Sequence, residues 1–253
     1  MTLLNEETRR KLRELNLSEM IDAIDTQSQD VSYAILPFED RLKMAVDYVY
    51  QKKYNSKVQR LIKMAKFRIT NASMNSIHYS DRGLDRQKLL ALSNCQFIDT
   101  HSSIIFHGFT GSGKSYLACA LGKQACMQGV RTRYIRIPDL LILRDEASLS
   151  VQGISKLLKK FSNYTLLVLD EWLLDDLTDG EQHFLFELIE RRHDTSSTVF
   201  CTQFKKEDWH TRLGGGVHAD AMMDRIVHNA AWVYTGNLNM RKFYAINHPV
   251  SID

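Results

Sequence analysis

Apolar residues are spaced in two different ways along this chain, and the change falls near residue 100. Over the first hundred residues they recur at helical spacing. Leu12, Leu15 and Met20 set the pattern, and Ser18 with Glu19 offers an entry to a short helix through Ile24. After Pro37, the acids Glu39 and Asp40 open a further run in which Leu42, Ala45, Val46 and Val49 share a face. Its continuation puts Val58, Leu61, Ile62, Ala65 and Ile69 on one side. Beyond residue 100 come five short apolar runs: Ser103 to Phe106, Thr132 to Ile137, Thr165 to Leu169, Thr198 to Cys201 and Ala231 to Tyr234. Amphipathic stretches lie between them, notably Tyr116 to Gln128 closed by Gly129, and Thr178 to Arg192 opened by the capping-box pair Thr178 and Glu181. Strands that alternate with helices need crossover connections, which predicts a parallel sheet covered on both faces. No internal repeat or low-complexity segment interrupts this order.

Composition narrows the class. With 253 residues, 44% of them hydrophobic and 25% charged, the chain is globular in character, and disordered or fibrous classes are excluded. No apolar run approaches the ~20 residues of a membrane helix, and Met1 to Leu17 is too charged for a signal peptide. Four cysteines without a CxxC pair or neighbouring histidines form no disulfide or zinc framework, so the expected compartment is a reducing cytoplasm. Cys119 and Cys126, seven apart on one helix face, read as core fillers.

The net charge of +3 conceals an uneven distribution. Arg41 to Lys88 carries 12 basic residues against 3 acidic, whereas Asp170 to Asp194 carries 9 acids against Arg191 and Arg192. Within the first segment, Gln51 to Arg68 holds seven basic residues and no acid. Lys53, Lys57 and Arg60 share a helix face, Lys63 continues it, and Lys52 and Lys66 flank it, opposite the Val58, Leu61, Ile62 and Ala65 stripe. The pattern predicts a helix that buries its apolar side and offers a positive ridge to nucleic-acid phosphates, with weak sequence preference. The plain alternative is a solvated helix face. Arg131, Arg133 and Arg136 either extend that surface or alternate outward to solvent.

The chemistry concentrates in two motifs. Gly108-Phe109-Thr110-Gly111-Ser112-Gly113-Lys114-Ser115 fits G-x-x-x-x-G-K-[ST]. Its glycines let successive backbone N–H groups turn toward a phosphate, and the following helix adds its positive N-terminal end. Gly108, Thr110, Gly111, Ser112, Gly113, Lys114 and Ser115, with Tyr116 behind them, form the expected nucleotide-contacting set. Lys114 would reach the β- and γ-phosphates of ATP, and Ser115 would ligate Mg²⁺. The second motif is Leu166 to Leu169 followed by Asp170 and Glu171, an apolar strand ending in two carboxylates. Asp170 would hold the metal through water, and Glu171 would polarise a water for attack on the γ-phosphate. A bare aspartate suffices for binding; the adjacent glutamate points to hydrolysis.

Together these features resemble an AAA+ ATPase of the IstB/DnaC group, which comprises insertion-sequence transposition helpers and helicase loaders. The likeness runs from about Tyr54 to Tyr244 and rests on an ordered series. Its members are Arg60 to Phe67, the Gly108 loop with Tyr116-Leu117-Ala118, Asp170-Glu171, Cys201-Thr202-Gln203 with Trp209, Met223-Asp224-Arg225-Ile226, and Gly236 to Arg241. The basic segment before the loop favours the IstB type. The resemblance implies a P-loop αβα sandwich with a five-stranded parallel sheet, as an ATPase domain over residues 71–253 after a small α-helical DNA-binding and assembly domain over 1–70. It also implies three roles. Gln203 corresponds to the residue that orients the attacking water, although the family usually has Asn there. Arg225 corresponds to an arginine finger acting on the nucleotide of a neighbouring subunit, and Arg241 to a second nucleotide-sensing arginine. On residue type alone, Arg225 reads as a solvated helix residue and Arg241 as half of a surface Arg–Lys pair. Trp172-Leu173-Leu174 departs from the small residue expected after Glu171, and the sequence offers no physical account of it.

The function implied is ATP-dependent regulation of DNA transposition. The chain would self-assemble on double-stranded DNA and deliver target DNA to an IstA-type transposase, with hydrolysis driving disassembly. One rival is a helicase loader that prefers single-stranded DNA and uses Met1 to Pro37 to bind its helicase. Another is a small-molecule kinase, which would need a lid and an acceptor-binding arginine set. Gly214-Gly215-Gly216 reads equally as a mobile linker before Arg225 or a tolerated surface loop.

Overall fold

The computed structural model describes residues 4–247. The chain divides into two compact units, Met1–Arg60 and Leu61–Asp253. The first is helical. α1 (Glu6–Glu14) is capped by the Asn5 side chain, which accepts from Thr8 N at 2.8 Å, and acids in its first turn face bases in its last. α2 (Ser18–Gln29) runs five residues past the expected Ile24. Arg9 joins α1 to α2 through a two-pronged bond to Asp25 at 2.8 and 2.5 Å. After a 3₁₀ turn at Val31–Ile35 comes α3 (Phe38–Ala65), a single 28-residue helix that takes in the run after Pro37 and its continuation as far as Ala65.

The second unit begins with the end of α3. α4 (Arg86–Ser93) then leads to β1 (Ser103–His107), α5 (Lys114–Met127) and β2 (Thr132–Arg136). Two helices the sequence did not separate follow, α6 (Ile137–Ser148) and α7 (Gly153–Ser162), before β3 (Leu166–Asp170). The chain continues through α8 (Asp179–Arg192), β4 (Ser197–Thr202), α9 (Lys206–Arg212), α10 (Gly216–Val227), β5 (Ala230–Tyr234) and α11 (Met240–Asn247). The five strands form one parallel sheet in the order β2-β3-β4-β1-β5.

Strand alternation sorts side chains into two cores, one on each face. Ile104, Phe106, Val168 and Cys201 pack with α5 and the segment from Ala65 to Ile98. Ile105, Leu167, Leu169 and Phe200 pack with α6 through α10. This is the expected αβα sandwich. Cys119 and Cys126 are fully buried core fillers, and all four cysteines are free. Trp172 now has its account: it is 1% exposed and lies edge-on to Phe200 at 4.9 Å, with Trp209 at 6.0 Å. A large aromatic after Glu171 therefore fills the second core. Among the described residues, no helix is long and apolar enough to cross a membrane.

Candidate functional site

The loop between β1 and α5 is shaped by what its glycines permit. Gly111 and Gly113 have φ of +89° and +93°, the left-handed region that side chains resist. A Cβ on Gly108 would lie 2.3 Å from Thr235 Oγ1, so only glycine lets the loop pass the end of β5. There Ser112 Oγ and Thr235 Oγ1 share a 2.6 Å hydrogen bond. α5 begins at Lys114 with Gly113 as its N-cap and no side-chain cap, which leaves its first N–H groups for an anion. Lys114 Nζ meanwhile donates to the carbonyls of Gly108 at 2.7 Å and Phe109 at 3.0 Å. Desolvation holds the pKa of Lys114 below its usual value.

Beside this loop is a cavity of about 320 Å³. Of the residues singled out in the sequence, Thr110, Gly111, Gly113, Lys114, Ser115, Tyr116, Asp170, Glu171, Gln203 and Arg241 all line it. Gly108 and Ser112 are buried in the loop behind. Gln203, at the end of β4, accepts from Thr110 Oγ1 at 3.0 Å, so the longer glutamine still reaches the phosphate loop. Tyr116 accepts from Ser73 N at 3.3 Å and anchors the cavity wall.

The end of β3 contributes the carboxylates. Asp170 is 1% exposed and accepts from Tyr134 Oη at 2.6 Å and from Glu171 N at 2.9 Å. Burial, then the nearby Asp170, push the Tyr134 phenol well up, so it stays protonated and donating. The Tyr134 hydroxyl and the Glu171 N–H are neutral donors. A buried carboxylate with a hydroxyl-bearing Ser115 in the same cavity fits a divalent cation. Among the described residues no cluster of three or more His, Cys, Asp or Glu makes a metal cage.

Glu171 sits at φ +61° and is held by two arginines, Arg68 at 3.2 Å and Arg136 at 3.6 Å. Both arginines thus reach the acidic end of β3 while keeping part of their side chains exposed. Arg131, just before β2, lies over the Tyr164 ring at 4.8 Å, and Arg133 of β2 reaches Met64 O at 3.4 Å. The six other basic positions, Lys52, Lys53, Lys57, Arg60, Lys63 and Lys66, are all exposed. Lys53 donates to Asn16 O at 2.6 Å, and Lys66 lies just past the end of α3 at φ +55°.

Arg225, unlike Gly108 and Ser112, neither lines the cavity nor belongs to the loop behind it. It lies in the last turn of α10, ion-paired with Glu190 of α8. Sequence reasoning missed Arg82, which is 2% exposed and donates to Ser112 O, Thr235 O (3.1 Å) and His78 O (3.2 Å). It clasps the phosphate loop, the exit of β5 and the cavity wall with one guanidinium, and its only sequence signal is an arginine beside Gly83. Gly113 depends on it too, since a Cβ there would meet Arg82 Nη2 at 2.6 Å.

The parallel sheet, the phosphate loop and the acidic end of β3 define a P-loop nucleotide-binding protein of the AAA+ class. Residues 10–245 match the family described as IstB-like ATP binding protein, and the chain belongs to that family. It is 29% identical over 244 residues to an insertion sequence ATP-binding protein of Sinorhizobium fredii, covering 95% of this chain and 98% of that one. It is also 29% identical over 206 residues to the ATP-binding protein of insertion sequence IS1162 from Pseudomonas fluorescens, covering 79% and 87%. Among solved structures, the DnaC helicase loader shares the fold with a TM-score of 0.55 at 21% identity, covering 65% of this chain and 96% of that one. The replication initiator DnaA bound to AMPPCP and single-stranded DNA does so with a TM-score of 0.59 at 15% identity, covering 74% and 58%.

Proposed function

We propose that this chain is a Mg²⁺-dependent ATPase that regulates DNA transposition. It self-assembles on duplex DNA, delivers target DNA to an IstA-type transposase, and disassembles when ATP is hydrolysed. The observation that carries the reading is the meeting of Lys114, Ser115, Asp170, Glu171 and Gln203 on one cavity at the phosphate loop. Membership of the IstB-like family supports the setting in insertion-sequence transposition. ATP brings the γ-phosphate and Mg²⁺ the charge that polarises it; Ser115 and Asp170 would hold the metal. Lys114 exchanges its two carbonyl partners for phosphate oxygens. Glu171 takes a proton from the attacking water once its carboxylate is released from Arg68 and Arg136, and Gln203 orients that water. Arg225 acts on the nucleotide of the next subunit, and Arg241 senses the bound nucleotide from the cavity rim. Lys52, Lys53, Lys57, Arg60, Lys63 and Lys66 contact DNA phosphates, so residues 1–70 serve DNA binding and assembly while residues 71–253 form the ATPase.

The test is binding of duplex and single-stranded DNA by the purified protein with ATP, ADP or no nucleotide. Duplex binding is expected only with ATP, with a log–log salt slope near about −4.5 for about five neutralised phosphates. Preference for single strands would replace the reading with helicase loading. Absence of DNA binding in every nucleotide state would overturn it.

A further inference from the structure

Arg225 does not line the cavity of its own chain, and its neighbours hold it where it is. Nε is ion-paired with Glu190, Nη1 donates to Ala221 O at 3.1 Å, and the guanidinium lies over the Phe186 ring at 5.8 Å. Phe186 and Glu190 are four residues apart on α8, so one helix presents both an aromatic face and a carboxylate to the same arginine. Among the described residues, Nη2 has no hydrogen-bond partner. The Arg225 side chain keeps 26% of its surface exposed and that of Glu190 keeps 44%. A free arginine samples many rotamers, and ordering it opposes its use as a ligand. An arginine already clamped at Nε and Nη1 meets an anion with its Nη2 edge at little further ordering.

We propose that Glu190 is a positioning residue for Arg225, fixing the guanidinium so that its outer edge meets the triphosphate bound to a neighbouring copy of this chain. This inference rests on the reading of Arg225 as a finger acting between subunits. Glu190 is not itself a phosphate ligand, because its charge would repel one. The pair works as a unit: the carboxylate sets the angle of the guanidinium, and Phe186 sets the plane it slides on. The opposite role, in which Glu190 restrains the arginine from acting, predicts the opposite kinetics.

The experiment compares steady-state ATP turnover on a linear duplex for wild type, Glu190→Ala, Glu190→Gln, Arg225→Ala and the Glu190→Ala/Arg225→Ala double variant. Misplacing a reacting group by about an ångström costs up to about 10²-fold, so Glu190→Ala is expected to lower kcat at least about tenfold. KM for ATP should stay within about twofold, because the cavity is untouched. The glutamine variant, which keeps one acceptor oxygen, should fall between. The double variant should be no slower than Arg225→Ala alone, since the two side chains act through one contact.

Mixed assemblies separate this role from a structural one. Glu190→Ala mixed with Lys114→Ala should regain turnover, because the Lys114→Ala protomer lends a correctly held finger to an intact cavity. Glu190→Ala mixed with Arg225→Ala should regain none. If Arg225→Ala turns over like wild type, the finger reading fails and takes this inference with it. If Arg225→Ala is slow while Glu190→Ala is normal or faster, or if their effects multiply in the double variant, Glu190 has no positioning role and the finger stands without it.

Discussion

Replacing Arg82 with methionine tests how the phosphate loop is held. The substitution keeps a long apolar stem and removes a guanidinium that is 2% exposed and serves the carbonyls of Ser112, Thr235 and His78. Each bond of this kind contributes about 1 kcal/mol net, and more where the donor is charged, while an orphaned buried carbonyl costs about 1–3 kcal/mol. Removing the cation also recovers its desolvation, the cause that holds the pKa of Arg82 below the usual arginine value. The opposing contributions leave a loss of about 3 kcal/mol. In a chain of this size each kcal/mol lowers Tm by about 2–4 °C, so calorimetry should show a drop of about 6–12 °C. One of the three carbonyls belongs to Ser112 inside the loop, so part of the loss falls on ligand binding. Isothermal titration should find ATP bound about tenfold more weakly, equivalent to about 1.4 kcal/mol. Arg82→Lys keeps the charge without the planar fork and should lie between. Wild-type Tm and affinity in Arg82→Met would refute the argument outright. A lower Tm with unchanged affinity would leave Arg82 as a strut with no hold on the loop.

Three further outcomes follow from the geometry. Gly113→Ala forces a side chain into φ +93° and against Arg82, and should abolish ATP binding in the same titration while costing only about 1–3 kcal/mol of stability. Burial, reinforced by Lys114 and Lys205, keeps the pKa of His107 below its usual 6.5. The unfolded chain therefore takes up this proton first; stability is full above pH 6.5 and declines as pH falls toward the folded-state value, and His107→Gln should flatten that part of a Tm-versus-pH curve. Replacing Lys57 and Arg60 together with glutamine should reduce the salt slope of duplex binding by about 2, at about 1 per lost phosphate contact, and an unchanged slope would remove them from the interface.

The central strands were legible because a parallel strand covered on both faces has to be apolar along its length, as Leu166–Asp170 is until its last residue, whereas Thr132–Arg136 was legible from its β-branched and aromatic residues before Pro138. The phosphate-loop part of the cavity lining was legible for a different reason: its chemistry binds glycines, a lysine and a hydroxyl into consecutive positions. What stayed hidden depends on distance in sequence. Arg68 and Arg136 reach Glu171 from 103 and 35 positions away, and no local pattern distinguishes them from solvated arginines. Arg82 was hidden by the same logic, since its partners Ser112 and Thr235 lie in other elements. Trp172 looked anomalous beside Glu171 because the aromatic neighbours that explain it, Phe200 and Trp209, come from β4 and α9. The turn between α6 and α7 has no proline to announce it; it closes at Gln152, the N-cap of α7, at φ +62°.

β5 acts as a ruler with marks at both ends. Arg225 stands five residues before it, and just past its last residue the Thr235 hydroxyl touches Ser112 in the phosphate loop. Between them Ala230–Tyr234 is zipped residue for residue to Ser103–His107, a rise of about 3.3 Å per step. Such a ruler cannot be shortened by one notch. Deleting a single residue would turn every following side chain to the opposite face, lifting Val233 out of the core, instead of drawing the two ends closer. The separation between Arg225 and the phosphate loop of the same chain is thus quantised by the pleat. Length changes are tolerable only outside the ladder, as near Gly216 before α10, where an added Cβ meets nothing within 4 Å.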